Sequence, residues 1–219
     1  MRISAVKIPV LFEDAFLVVC VKPAGVLSED GGMPDLLTAQ CGAPRIYCVH
    51  RLDKAVSGVM VYAKDGKTAA KLSELVSSRS VTKEYLAVTP AAPESPSGIL
   101  RDYLYHDAAK NKTYVVQRPR RGVKEAELSY ETFAAAECGP ALLRITLHTG
   151  RSHQIRAQFA SRKLPLLGDG RYGSNLRDCG IALQSHRLAF VHPVTGQALE
   201  FTAPLPESWP WTLFASSVI

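Results

Sequence analysis

Hydrophobic positions in this chain fall into short runs and alternations more than into long helical stripes. "FLVVCVKPAGVLS" (16–28) opens on an unbroken apolar run that stops at Pro23 and a Gly25 turn, the pattern of a buried strand. "GVMVYAK" (58–64) is rich in β-branched and aromatic residues, and "KEYLAVT" (83–89) alternates in strand fashion. Between them, "DGKTAAKLSELVSS" carries Ala69, Leu72, Leu75 and Val76 at helical spacing, which predicts a helix with Asp65 as its N-cap. "AELSYETF" and "ALLRITLHTG" predict successive strands joined by a turn at Cys138–Gly139–Pro140. "SHQIRAQFASRK" predicts a helix capped by Ser152, with Ile155 and Phe159 on one face. "IALQSHRLAFVHP" and "ALEFTAP" predict a closing hairpin that turns at Pro193–Gly196. Strands joined by short turns dominate, a few helices lie between them, and no solenoid-period repeat occurs. The class expected is α+β, with a central mixed or largely antiparallel sheet.

Composition narrows the picture. A chain of 219 residues favours a single domain spanning 1–219, and 47% hydrophobic residues allow a sizeable core. The longest apolar runs, such as "AFLVVCV", are too short to span a bilayer, and the N-terminus shows no secretory signal, so no membrane partner is expected and the cytoplasm is the natural compartment. Five cysteines, an odd number with no Cys-x-x-Cys pair, argue against a disulfide framework or a zinc site. Metal ligation by Cys41, Cys48 and His50 is likewise disfavoured. The formal net charge of +6 is a weak hint of a polyanionic partner. Its distribution says more: "KNKTYVVQRPRRGVK" (110–124) and "GRSHQIRAQFASRK" (150–163) are basic and hold no acid. Two such stretches fit a phosphate-tracking surface, with ordinary solvated loops as the alternative.

Three short stretches hold the candidate chemistry: "HRLD" (50–53), "KEY" (83–85) and "GRSHQIR" (150–156). Taken singly, Asp53 reads as a turn carboxylate, Tyr85 as a core aromatic and Arg156 as a solvated helix residue. Taken with their flanks they resemble the RluA family of RNA pseudouridine synthases. "HRLDKAVSGVMVYAK" is similar to that family's aspartate signature, and "VLFEDAFLVVCVKPAGVLS" to its opening strand and Lys-Pro-x-Gly turn. "VTKEYLAV" is similar to the second motif, "KEAELSYE" resembles the segment before the next strands, and "HTGRSHQIRAQFASRKLPLLGDGRYG" resembles the third motif. The matches run in order from about residue 10 to 205.

The resemblance implies the family's α+β fold and an isomerase that needs no cofactor and no metal. Uridine becomes pseudouridine when its glycosidic bond to N1 is broken and the base is rejoined through C5. The family's catalytic aspartate maps onto Asp53, whose carboxylate attacks the anomeric carbon, adds to C6 or takes a sugar proton; all three routes stay open. The resemblance implies further that Arg156 pairs with Asp53 and keeps it ionised and aimed, and that Tyr85 stacks on the target base and assists at C5. A stacked uridine must be flipped out to react. His50 and Arg51 are placed to touch the vacated position or flanking phosphates, with Arg51 filling the gap and, for His50, a structural hydrogen bond that holds the loop as the alternative. Arg151, Ser152, His153 and Gln154 at the helix start form a phosphate site, and Leu183 packs against the base. Two positions depart from the family pattern, Val56 for a threonine and Gln184 for a histidine. The expected partner is a structured ribosomal or transfer RNA stem-loop, docked by a monomer through the basic hairpin at 110–124, with no DNA. The rival is an RNA-binding or RNA-folding protein whose isomerase activity is incidental. The joint presence of Asp53, Tyr85 and Arg156 weighs against it, because binding alone requires no nucleophile.

Overall fold

A computed structural model describes residues 7–136, 139–176 and 179–217. Cys138, expected at a turn, lies outside the described residues. The chain divides into two compact units: residues to Lys83 together with Ser185–Ala203, and Glu84–Gln184 together with the segment from Pro204 onward.

In chain order the first unit opens with β1 (Val10–Glu13), β2 (Leu17–Lys22), α1 (Met33–Cys41), β3 (Tyr47–Cys48), β4 (Ser57–Ala63) and α2 (Gly66–Ser77). The second contains β5 (Thr82–Thr89), β6 (Ser97–Asp107), β7 (Lys112–Val116), β8 (Val123–Ala135), β9 (Ala141–Leu147) and α3 (Gln154–Ser161), with β5 starting in the last residues of the first. Then β10 (Leu183–Val191) and β11 (Ala198–Thr202) return to the first unit as the expected antiparallel hairpin.

In the first unit β2 lies between β1 and β4, antiparallel to both, and β10 flanks β4 on its other side. Both faces of β2 are covered: Leu17, Val18, Val19 and Cys20 are fully buried. That is why its sequence is a continuous apolar run and not an alternation. α2 closes one face with Leu72, backed by Ala69, Leu75 and Val76, against Val59, Val61, Leu188 and Phe190. Its N-cap is Asp65, as its sequence pattern requires; Oδ1 accepts from the Thr68 amide at 2.9 Å. Where β4 meets β10 the backbones nearly touch. A Cβ on Gly58 would sit 2.1 Å from the Ser185 carbonyl oxygen, and Gly58 has φ +127°, so only glycine fits there.

The second unit is an antiparallel path β5-β9-β8-β6-β7. Its core gathers Leu86, Val88, Leu142, Leu167, Trp211 and Phe214, and a smaller cluster seats Ala157 of α3 on Leu104 and Ala126. Two expectations are corrected here. β5 does not alternate: Tyr85 to Thr89 are all buried, because the strand is covered on both faces. Ser152 does not cap α3, which starts at Gln154 after His153 in a left-handed conformation (φ 53°) with no side-chain cap. The Gln154 side chain instead turns back and accepts from the Arg151 amide at 3.0 Å, in the manner of a capping box. Among the described residues no helix is long and apolar enough to cross a membrane.

Candidate active site

Asp53 stands on the loop between β3 and β4, and that loop is fastened at almost every residue. The Ser28 hydroxyl donates to the Leu52 carbonyl (2.9 Å) and accepts from the Leu52 amide (3.0 Å). The Tyr62 hydroxyl donates to the Ser28 carbonyl (3.1 Å), so the clamp is itself held. Cys48 Sγ donates to the His50 carbonyl (3.0 Å), and the Val56 amide closes a turn on the Asp53 carbonyl (2.9 Å). The Val56 side chain is buried at 2% exposure, so the departure from threonine puts an apolar group into apolar surroundings.

Lys22, the last residue of β2, is fully buried. Its ammonium donates to the carbonyls of Pro23 (2.9 Å), Val26 (2.7 Å) and Lys54 (3.2 Å), binding the opening turn to the residue after Asp53. Burial pushes its pKa down to about 8, and the nearby Asp53 carboxylate works against that shift. A buried cation thus faces Asp53 from within its own unit.

His50 is half-buried, and its Nε2 accepts from the Val61 amide (3.2 Å), which ties the loop to β4. Of its two readings, contact with the RNA and a structural bond holding the loop, the second describes this edge of the ring. Burial first, and the facing Lys83 ammonium second, lower its pKa to about 3 from 6.5. Between those values the unfolded chain binds the proton and the folded ring does not. Stability therefore falls as pH drops through 6.5 toward 3. Replacing His50 by Gln, which keeps an acceptor for Val61, is expected to flatten that acid limb in denaturant titrations; an unchanged limb would remove His50 as its source. Arg51 is exposed and pairs at the surface with Glu29 (3.1 Å), an interaction of about 0–1 kcal/mol that a polyanion can displace.

In the second unit Tyr85 is buried at 7% exposure on β5. Arg156 is buried at 4%, not solvated, and its guanidinium grips fully buried Asp169 in two bonds, Nε to Oδ2 at 2.7 Å and Nη2 to Oδ1 at 2.9 Å. The Tyr172 ring lies 5.0 Å from the guanidinium carbon. Asp169 and Tyr172 went unassigned at the level of sequence, although "GDGRYG" holds both and was matched as part of the third motif. Just ahead of Asp169, Gly168 (φ +75°) lies against the backbone of Gly180, where a Cβ would meet the carbonyl oxygen at 2.2 Å.

The helix-start residues divide by job. Gln154 was expected at the RNA, yet it is buried at 2%, with Oε1 accepting from the Thr149 hydroxyl (2.8 Å) and the Arg151 amide and Nε2 donating to the Glu127 carbonyl (3.0 Å). It holds the loop to β8. The His153 ring meets the Tyr172 hydroxyl through Nδ1 (3.1 Å), and Arg151 Nε donates to the Glu125 carbonyl (2.9 Å). Ser152 is exposed, and its carbonyl accepts from the Thr113 hydroxyl (2.7 Å). Leu183, the first residue of β10, is buried at 5%. Its neighbour Gln184 is buried too and donates to the Pro204 carbonyl (2.8 Å). Among the described residues no group of three or more His, Cys, Asp or Glu could hold a metal ion.

Comparison with known proteins bears on this arrangement. A family model described as RNA pseudouridylate synthase matches residues 16–161. The chain is 34% identical to a ribosomal large subunit pseudouridine synthase D of Xanthomonas campestris pv. campestris, over 92% of this chain and 67% of that protein. It is 30% identical to the protein of the same name from Pseudomonas aeruginosa, over 95% of this chain and 71% of the other. Among solved structures, human RNA pseudouridylate synthase domain containing 4 superposes with a TM-score of 0.77 at 26% identity, covering 91% of this chain and 89% of that one.

Proposed function

The chain belongs to the RNA pseudouridylate synthase family, and from that premise we propose that it isomerises specific uridines of ribosomal RNA through Asp53. The N1–C1′ bond breaks, the base turns, a C5–C1′ bond forms, and the proton lost from C5 is balanced by one gained at N1. The carboxylate serves any of the three routes, at the anomeric carbon, at C6 or at the sugar proton. The observation that carries the reading is the pinning of the Asp53 loop, since a reacting group must be held within tenths of an ångström of its target. The pairing of Asp53 with Arg156 and the placement of Tyr85 on the base rest on the family resemblance.

Ribosomal RNA is preferred to transfer RNA because the bacterial relatives carry that substrate in their names. The uridine is flipped out at a cost of a few kcal/mol, with exposed Arg51 supplying a plane for the gap. The protein works as a monomer in the cytoplasm, as one catalytic domain. RNA docks on the basic hairpin: Lys110, Arg118, Arg120, Arg121 and Lys124 are exposed, and Arg120 lies 5.2 Å from the Tyr105 ring. Neutralising Arg118, Arg120 and Arg121 together is expected to lower the salt slope of RNA binding by about 3. An unchanged slope in filter-binding titrations would move the docking face elsewhere.

The decisive experiment maps pseudouridines in total RNA from cells with and without the gene. A lost site in ribosomal RNA, restored by the wild-type protein and not by Asp53→Asn, is the expected result. No lost site, or rescue by Asp53→Asn, would favour an RNA-binding or RNA-folding role.

A further inference from the structure

Arg156 is mounted on the same short turn that grips the basic hairpin. That turn runs from Asp169 through a single 3-10 turn, Gly170–Tyr172, closed by the Tyr172 amide on the Asp169 carbonyl (3.0 Å). One side of it serves Arg156: the Asp169 carboxylate takes the guanidinium in two bonds, and the Tyr172 ring lies beside it. The other side serves the hairpin. Arg171 Nη1 donates to the carbonyls of Lys110 (2.9 Å) and Asn111 (3.3 Å). The Tyr172 hydroxyl accepts from the Thr113 amide (2.8 Å), and Lys112 Nζ lies 5.2 Å from the Tyr172 ring centroid. Thr113 in turn donates through its hydroxyl to the Ser152 carbonyl, two residues ahead of α3. Lys110 to Thr113 are thus held at four successive residues by the turn that aims Arg156.

We infer that the Asp169–Tyr172 turn couples seating of RNA on the Lys110–Thr113 hairpin to the aim of Arg156, with Tyr172 as the positioning residue between them. The inference rests on the proposed function. Tyr172 is suited to the task because one ring stands next to two cations with separate duties, Arg156 in the buried site and Lys112 on the half-exposed strand. When Lys112 engages a phosphate, the change in its position is felt by a ring whose hydroxyl is fixed to the same strand. A hairpin that only collected RNA would not require this attachment. Phosphate contacts made through it should therefore appear in kcat as well as in KM.

The test is a double-mutant cycle on a transcript of large-subunit ribosomal RNA, with kcat, KM and the salt slope of binding measured for each protein. Tyr172→Phe keeps the ring beside Arg156 and loses the hydroxyl bonds. It is expected to lower kcat about fivefold with little change in KM. Lys112→Met is expected to lower the salt slope by about 1 and also to lower kcat. In the Tyr172→Phe background, Lys112→Met should raise KM alone. Kcat losses that simply multiply in the double variant, or a wild-type kcat for Tyr172→Phe, would overturn the coupling. If Tyr172→Phe melts far below the wild type, Arg171→Met cuts the grip on the hairpin from the exposed side and must show the same loss of coupling. A wild-type protein that leaves the transcript unmodified would overturn the proposed function, and the coupling with it.

Discussion

Asp53→Asn is expected to reduce pseudouridine formation by at least about 10³-fold while leaving fold and RNA binding intact. The fasteners of its loop run through main-chain groups of residues 50–56, through the Ser28 hydroxyl and through the Lys22 ammonium. An amide of the same shape leaves those bonds in place. What it removes is the charge and the nucleophilic oxygen. The loop's fasteners stay, but the charge facing buried Lys22 goes with the nucleophile, so melting must be read beside activity. Single-turnover yield, thermal melting and RNA affinity should be read on the same preparation. Activity within tenfold of the wild type would rule out all three carboxylate routes at once.

Arg156→Ala is expected to destabilise the protein by about 3–5 kcal/mol, because it strands the fully buried Asp169 carboxylate without its partner. For a chain of this size that is a fall in Tm on the order of 10 °C. The buried bidentate pair makes Arg156 a structural residue as well as a candidate for the chemistry. Removing both charges together, as Arg156→Met with Asp169→Leu, should recover much of the stability and none of the activity. If the single and double variants melt alike, the pair contributes no charge burial worth the name. If the double variant turns over RNA, Arg156 has no part in the reaction.

The parts of this structure that were legible in the sequence are those governed by local physics. The Leu17–Lys22 run, the Asp65 cap and the β10–β11 hairpin each follow from one window of residues. Asp53 was legible because His50, Arg51 and Asp53 sit together in one motif. What escaped depends on distance along the chain. The amide of Gln154 reads as an RNA contact until the Glu127 carbonyl, on β8, accepts its hydrogen bond. Lys22 reads as part of a turn until the Lys54 carbonyl arrives from the catalytic loop. Asp169 was in plain view as a motif letter, but nothing short of the folded chain brings it onto Arg156. The strand alternation read into Lys83–Thr89 fails for the same reason, since coverage of the second face comes from elements far away in sequence.

The hydrogen bond from Ser185 to the Val59 carbonyl joins residues 126 apart. Its consequence concerns synthesis. The first unit is completed by β10 and β11, which leave the ribosome only after Glu84–Gln184 of the second unit has been made. Until then β4, apolar on both faces, presents an open edge beside the catalytic loop. Each unit thus waits for a distant segment, the first for β10 and β11 and the second for Trp211 and Phe214 of its core. A nascent chain halted before residue 185 would carry Lys22, Ser28 and Tyr62, which fasten the Asp53 loop, and still lack the strand that flanks β4.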